Sequence, residues 1–210
     1  MQALGVFGGT FNPIHNGHLR IALDVYQDLG LDKVLFVPCA RPPHREQPEV
    51  SAPQRLKLLR RAIESVEGFE CDARELNRSG PSYTVDTLRE LRHYYAKTSL
   101  NLIVGSDSFQ NLDTWHQWEQ IPELANIIVA SRPGWGSDEA SDMGRRLHAR
   151  IIQDPRLLRQ EAQGQIMVWP VTQLGIEASK IRQQIKQHKS VRFLLPQSVL
   201  QIIESEKLYC

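Results

Sequence analysis

The residue types able to do chemistry are densest between positions 8 and 18, which read Gly8-Gly9-Thr10-Phe11-Asn12-Pro13-Ile14-His15-Asn16-Gly17-His18. Two adjacent glycines let backbone approach a ligand that a Cβ would hold off. His15 and His18, three apart around Gly17, bring two imidazoles to one place. They can donate to phosphate oxygens and stabilise charge that develops during a transfer. A helix predicted to start at Gly17-His18 would add free N–H groups and the positive end of a dipole, which suit an anion. Together these features predict a nucleotide-phosphate site. It is not a common one: GxGxxG fails after Gly8-Gly9, and GxxxxGK[ST] occurs nowhere. The same histidines also read as capping or surface residues. A zinc site would need further ligands, and neither the cysteines nor an HExxH pattern supplies them.

Such a site needs a scaffold. Ala3–Phe7, Lys33–Val37, Leu100–Val104 and Asn126–Ala130 are short and continuously apolar, as expected of parallel strands covered on both faces. Ile166–Trp169 is a weaker candidate. Helical periodicity fills the intervals. From Ser51, a capping residue, Ala52, Leu56, Leu59, Ile63 and Val66 follow 4-3-4-3 spacing. A second helix begins near Ser82 and carries Val85, Leu88, Leu91 and Tyr95. A third runs from Gly17-His18 through Leu19, Ala22, Leu23 and Tyr26 to a stop at Gly30. Arg132–Ala149 reads as a loop leading into an exposed helix, and the last segment is a helix opened by Pro196, with Val199, Leu200 and Ile203 behind it. The β-α-β-α order predicts an α/β chain built as a Rossmann-like doubly wound parallel sheet with a C-terminal helical portion, one domain over 1–210. In such sheets ligands bind beyond the carboxyl ends of the strands, where residues 8–18 fall.

GGTFNPxHxGH resembles the signature of the cytidylyl- and adenylyltransferase superfamily, whose mark is the [HT]xGH tetrad after the first strand. Further segments extend the resemblance over almost the whole chain: Arg41-Pro42-Pro43-His44-Arg45, Pro81-Ser82-Tyr83-Thr84-Val85-Asp86-Thr87-Leu88, Gly105-Ser106-Asp107, Thr114-Trp115-His116, Ser131-Arg132-Pro133-Gly134 and Ile176-Glu177-Ala178-Ser179-Lys180-Ile181-Arg182. They are most similar to the bacterial branch that joins nicotinate mononucleotide to the AMP of ATP. Two departures stand out. Asn12 replaces a usual Asp, and Glu177 replaces a Ser in a segment where Ser179 stands for Thr.

The resemblance implies a division of labour. Gly8, Gly9, Thr10, Phe11, His15, His18, Gly105, Asp107, Arg132, Ser179 and Arg182 would bind ATP, with His18, His15 and Arg182 the catalytic group. His44, Arg45, Tyr83, Thr84 and Trp115 would hold nicotinate mononucleotide. Each also has a plainer reading: Ser179 and Asp107 as helix caps, Arg182 as a solvated helix residue, Trp115 as core, His44 and Arg45 as an exposed basic loop. The implied reaction is direct in-line attack on the α-phosphorus of ATP with release of pyrophosphate, carried by positioning and charge neutralisation. Mg²⁺ would accompany ATP chiefly through its own water, so no protein metal ligand is named. The rivals are phosphopantetheine adenylyltransferase, which lacks the PSYT and TW segments, and a non-catalytic nucleotide-sensing module of the same fold.

Composition limits the remaining classes. The 210 residues carry 25 basic and 24 acidic side chains, a net charge of +1 that offers no whole-protein case for binding nucleic acid. No run approaches 18 apolar residues, so no membrane span or membrane partner is expected. The first residues lack a basic region before an apolar one, so no leader is expected. Three cysteines without a CxxC pair suit a reducing compartment, and a cytoplasmic location is expected. Self-association stays open.

Overall fold

A strand that is apolar at every position must bury both of its faces, and the chain meets that demand with a parallel sheet between two layers of helices. The computed structural model describes residues 1–42, 47–131 and 142–210. In chain order these form β1 (Ala3–Gly9), α1 (Asn16–Asp28), β2 (Lys33–Pro38), α2 (Ala52–Ile63), β3 (Phe69–Cys71), α3 (Thr84–Tyr94) and β4 (Ser99–Gly105). There follow α4 (Ser106–Gln110), β5 (Asn126–Ser131), α5 (Asp142–Arg146), β6 (Ile151–Ile152), β7 (Ile166–Pro170), α6 (Ala178–Lys186) and α7 (Gln197–Ser205). The strands make one seven-stranded sheet in the order β3-β2-β1-β4-β5-β7-β6, and every pairing is parallel.

Alternate residues of each strand feed different cores. From β1, Phe7 points into one cluster with Phe36, Ile103, Ile128 and the apolar faces of α1, α2, α6 and α7. Its neighbours Leu4 and Val6 join Leu35, Leu102, Val129 and the buried faces of α3 and α4 on the other side. The expected Rossmann-like doubly wound sheet with helices on both faces is therefore what forms, and α6 and α7 are its C-terminal helical portion. The short edge strands β3 and β6 were not among the expected elements, since three and two residues carry no readable period. The helix expected after Arg132 is α5. It buries Met143 rather than lying fully exposed, while residues 132–141 fall outside the described ones.

Two details of the sheet decide where a ligand can go. Pairing of β1 with β4 ends at Val6 opposite Leu102, yet β1 continues to Gly9 along β2 and β4 continues to Gly105 along β5. The two central strands thus part at their carboxyl ends, at the point where the chain order reverses and α/β sheets hold their ligands. The amino ends are closed instead by buried amides: Asn101 Nδ2 donates to the Leu4 carbonyl at 3.3 Å, and Asn126 Nδ2 to Asn101 Oδ1 at 3.2 Å.

Helix α2 starts where expected. Ser51 caps it, its Oγ accepting from the Gln54 amide at 3.4 Å while Gln54 Oε1 accepts from the Ser51 amide at 3.3 Å. Its buried stripe, however, is turned from the expected one. Arg55, Leu58, Leu59, Ala62 and Ile63 are inside, and Leu56 is only half-buried. Losing a capping hydroxyl costs about 1 kcal/mol. Ser51→Ala should therefore lower the free energy of unfolding by that amount, read as a shifted denaturant midpoint with an unchanged slope.

Candidate active site

The segment from β1 to α1 forms one wall of the gap between β1 and β4. Among the described residues, a Cβ built on Gly8 or on Gly105 would meet nothing within 4 Å, so both strand ends border open space. Gly9 has a different reason to be glycine, because a Cβ there would stand 2.9 Å from the ring of Phe11. Phe11 itself has φ 45°, left-handed backbone that a bulky side chain adopts only under constraint. Three things supply the constraint. The Phe11 ring is buried edge-on against Phe7 at 5.9 Å and His18 at 5.2 Å. Arg55 Nη1 donates to the Thr10 carbonyl at 2.5 Å, and Arg182 Nη1 to the Asn12 carbonyl at 2.7 Å. The carbonyls on either side of the left-handed residue are thus each held by a guanidinium.

His15 is the N-cap of α1, with its carbonyl accepting from the His18 amide at 3.0 Å and no side-chain capping bond. The plainer reading of His15 as a side-chain cap is therefore not what forms. The imidazoles of His15 and His18 stack, centroids 3.7 Å apart and planes 25° apart. Gly17 makes this possible: a Cβ on it would press on His15 Nδ1 at 3.0 Å and Cε1 at 3.1 Å. Burial holds the pKa of His15 down at about 4. Burial, then the like charge of His15, holds His18 at about 3. Both rings are neutral at pH 7, and both Nδ1 atoms are buried without a hydrogen-bond partner among the described residues, as is Asn12 Oδ1. Buried polar atoms left unpaired are costly, and a polar ligand is one thing that can satisfy them.

Arg182 lies on α6, a turn into the helix, and its bond to Asn12 brings α6 against the loop. Buried Asp24 of α1 fixes the approach to α6 by accepting from the Thr172 amide at 2.7 Å. Ser179 sits exposed in the first turn of α6, where Glu177 and not Ser179 is the N-cap. Glu177 makes no capping bond and pairs with Lys180 at 2.5 Å. Asp107 is likewise not the cap of its helix: Gly105 holds that place in α4, and Asp107 is exposed in the first turn. The Phe11 ring belongs to the core, which leaves only its main chain to face a ligand.

Tyr83 is the N-cap and Thr84 the first residue of α3, and among the described residues Tyr83 makes no side-chain capping bond. Tyr83 lies over His116, centroids 4.2 Å apart and planes 31° apart, and both Tyr83 and half-buried Trp115 pack against the second core. The two aromatic segments expected to hold a pyridine ring do come together. His116 joins them although only its motif neighbours were expected at the site. Arg55 was also not expected. Its signal was present, an arginine on the apolar stripe of α2, but the misaligned stripe hid it. His44, Arg45 and Arg132 lie outside the described residues.

This cleft offers uncharged imidazoles, open glycine backbone and arginines beside a loop, with no activated nucleophile among the residues gathered there. That suits transfer of a phosphorus group directly between two bound molecules, the chemistry of a nucleotidyltransferase on a Rossmann-like sheet. The chain belongs to the Cytidylyltransferase-like family, whose model matches residues 6–184. It is similar to the probable nicotinate-nucleotide adenylyltransferase of Methylococcus capsulatus, 42% identical over 207 residues that cover 98% of this chain and 99% of that one. It is also similar to the probable nicotinate-nucleotide adenylyltransferase of Pseudomonas paraeruginosa, 44% identical over 210 residues covering 99% and 97%. The solved structure of Plasmodium falciparum nicotinic acid mononucleotide adenylyltransferase complexed with NaAD superposes with a TM-score of 0.76 over 100% of this chain and 98% of that one. At 14% identity, that likeness supports the fold alone.

The two depressed histidine values set a pH dependence. An unfolded imidazole takes up its proton near the ordinary 6.5, whereas the folded ones do so only at about 4 and about 3. Stability from this source is full above pH 6.5 and is lost as pH falls towards those values. Histidine NMR should show two imidazoles that stay neutral down to pH 5 in the free protein. Adding a polyphosphate should raise both titrations; His15 and His18 titrating near 6.5 in the free protein would contradict their burial.

Proposed function

We propose that the chain is an adenylyltransferase that joins the AMP of ATP to nicotinate mononucleotide, giving nicotinate adenine dinucleotide and pyrophosphate in NAD biosynthesis. The observation that carries this reading is the stacked, neutral His15–His18 pair, its Nδ1 atoms unpaired, at the start of α1 beside the gap between β1 and β4. Names borne by relatives at 42% and 44% identity over nearly the whole chain favour the nicotinate substrate over phosphopantetheine.

In this reading ATP lies with its triphosphate over the Thr10 loop and the N-terminus of α1. Gly8, Gly9 and Gly105 admit it closely, and Asp107 faces its ribose. His18 and His15 donate to phosphate oxygens as neutral imidazoles, so each offers a directed N–H without a repelling partner charge. Arg182 has one nitrogen committed to the loop and others with which to hold the β- and γ-phosphates, helped by Thr10, Ser179 and Arg132. The mononucleotide sits opposite. Its carboxylate faces the N-terminus of α3 at Tyr83 and Thr84, its ring lies against Trp115, and His44 and Arg45 bind its phosphate. A mononucleotide phosphate oxygen attacks the α-phosphorus in line as the bond from that phosphorus to the α,β-bridging oxygen breaks, and pyrophosphate leaves carrying that oxygen and the electron pair. The protein's contribution is orientation and charge stabilisation.

A magnesium ion would arrive with ATP and keep most of its own water. Such an ion supplies charge neutralisation on the triphosphate. No helix among the described residues is long and apolar enough to cross a membrane. We place the enzyme in the cytoplasm, acting as a single domain over 1–210, on two small-molecule substrates, with no nucleic-acid partner.

The test is pyrophosphate release from ATP and magnesium with nicotinate mononucleotide, its amide, or phosphopantetheine. Release with the first is expected to exceed release with the others. No release with any of them would favour a nucleotide-sensing module. His18→Ala should lower turnover by about 10²–10⁴ while the protein stays folded; near-normal turnover would remove His18 from the mechanism.

A further inference from the structure

Arg55 is 1% exposed on the apolar stripe of α2, where a leucine would continue the row of Leu58, Leu59, Ala62 and Ile63. A cation in that place is costly to desolvate unless its donors are satisfied. Its bonds to described residues all end on main-chain carbonyls. Nη1 reaches Thr10 at 2.5 Å, Nη2 reaches Cys39 at 2.7 Å and Ala40 at 3.4 Å, and Nε reaches Val50 at 3.3 Å. These carbonyls belong to different parts of the ligand-facing end of the sheet. Thr10 leaves β1 and precedes the left-handed Phe11. Cys39 and Ala40 leave β2 and lead to the segment expected to clamp the mononucleotide. That second loop is tied onward to the start of α3, since Ser82 Oγ accepts from the Ala40 and Arg41 amides at 3.1 and 3.3 Å.

We propose that Arg55 is a positioning residue that couples the two substrate loops, its rigid fork making the Thr10 loop and the Cys39–Ala40 loop move as one. The proposal rests on the reading given under Proposed function. A guanidinium is planar, with its two terminal nitrogens at a fixed separation, so the carbonyl on Nη1 cannot shift without turning the carbonyl on Nη2. A lysine has one ammonium on a flexible stem and cannot hold both loops in one plane. Seating of ATP against the Thr10 loop therefore sets the position of the Cys39–Ala40 loop. By linkage the mononucleotide prepares the ATP loop by the same factor.

Calorimetry on the full chain tests this with α,β-methylene-ATP and nicotinate mononucleotide. In the unaltered protein each ligand should tighten the other by about fivefold or more. In Arg55→Lys the factor should fall towards one, and KM for both substrates should rise more than kcat falls. If Arg55 only supported the fold, the variant would lose thermal stability and active fraction but keep both KM values and the coupling factor; that result overturns the proposal. So would independent binding in the unaltered protein.

Should Arg55→Lys fail to fold, hydrogen exchange on the unaltered protein decides. The Cys39 amide bonds directly to the Gly9 carbonyl, so the readout is at the next two amides, which bond to Ser82: α,β-methylene-ATP alone should slow exchange at the Ala40 and Arg41 amides as well as in the Thr10 loop, and protection confined to the Thr10 loop and Cys39 overturns the coupling. This readout is separate from turnover. Absence of pyrophosphate release with nicotinate mononucleotide would overturn the substrate assignment while the exchange data still judged Arg55.

Discussion

The loop after β1 turns left-handed at Phe11, and the site depends on that turn being held. Its neighbours in the chain present their carbonyls to Arg55 from α2 and Arg182 from α6, while the Phe11 ring is sunk between Phe7, Phe36 and His18. A bulky residue at positive φ costs of order 1–3 kcal/mol and persists only where the surroundings over-determine it. Here two charged donors and a buried aromatic ring do so. The turn delivers Thr10 and Gly9 to the gap at the centre of the sheet and sets His15 at the head of α1. Two helices distant in sequence thereby fix one short stretch of backbone.

A second constraint is the divergence of β1 and β4 past Val6 and Leu102. Each strand keeps its outer partner to the end, so the sheet stays whole while its middle opens. Glycines at both strand ends leave that opening unfilled. Beside it the two histidines are packed tightly enough to be stripped of charge, which leaves directed donors in place of a diffuse positive patch. In the proposed reading, a phosphate bound there would meet N–H groups already oriented.

Much of this was legible beforehand. The five longer strands were recognisable because parallel strands buried on both faces are apolar without interruption, and the helix starts at Ser51 and Pro196 because capping chemistry is local. The motif segments named the two walls of the cleft. The short edge strands β3 and β6 were not legible, because pairing with a neighbour and not their own sequence defines them. Nor were the helix caps at Glu177 and Gly105 in place of Ser179 and Asp107. A hydroxyl or carboxylate near a helix start is equally suited to the cap or to the first turn, and only the backbone geometry chooses between them.

By itself the sequence determined the class of sheet, the location of the glycine- and histidine-bearing segment at the strand end and the residue types gathered there, since period, glycine placement and motif spacing are properties of neighbours in the chain. The tertiary structure alone decided that Arg55 would be buried, that His15 and His18 would be neutral, and that His116 would lie under Tyr83. The physical reason is common to all three. Burial, stacking and the sharing of a guanidinium between loops are set by which distant segments are brought into contact, and no local pattern encodes that.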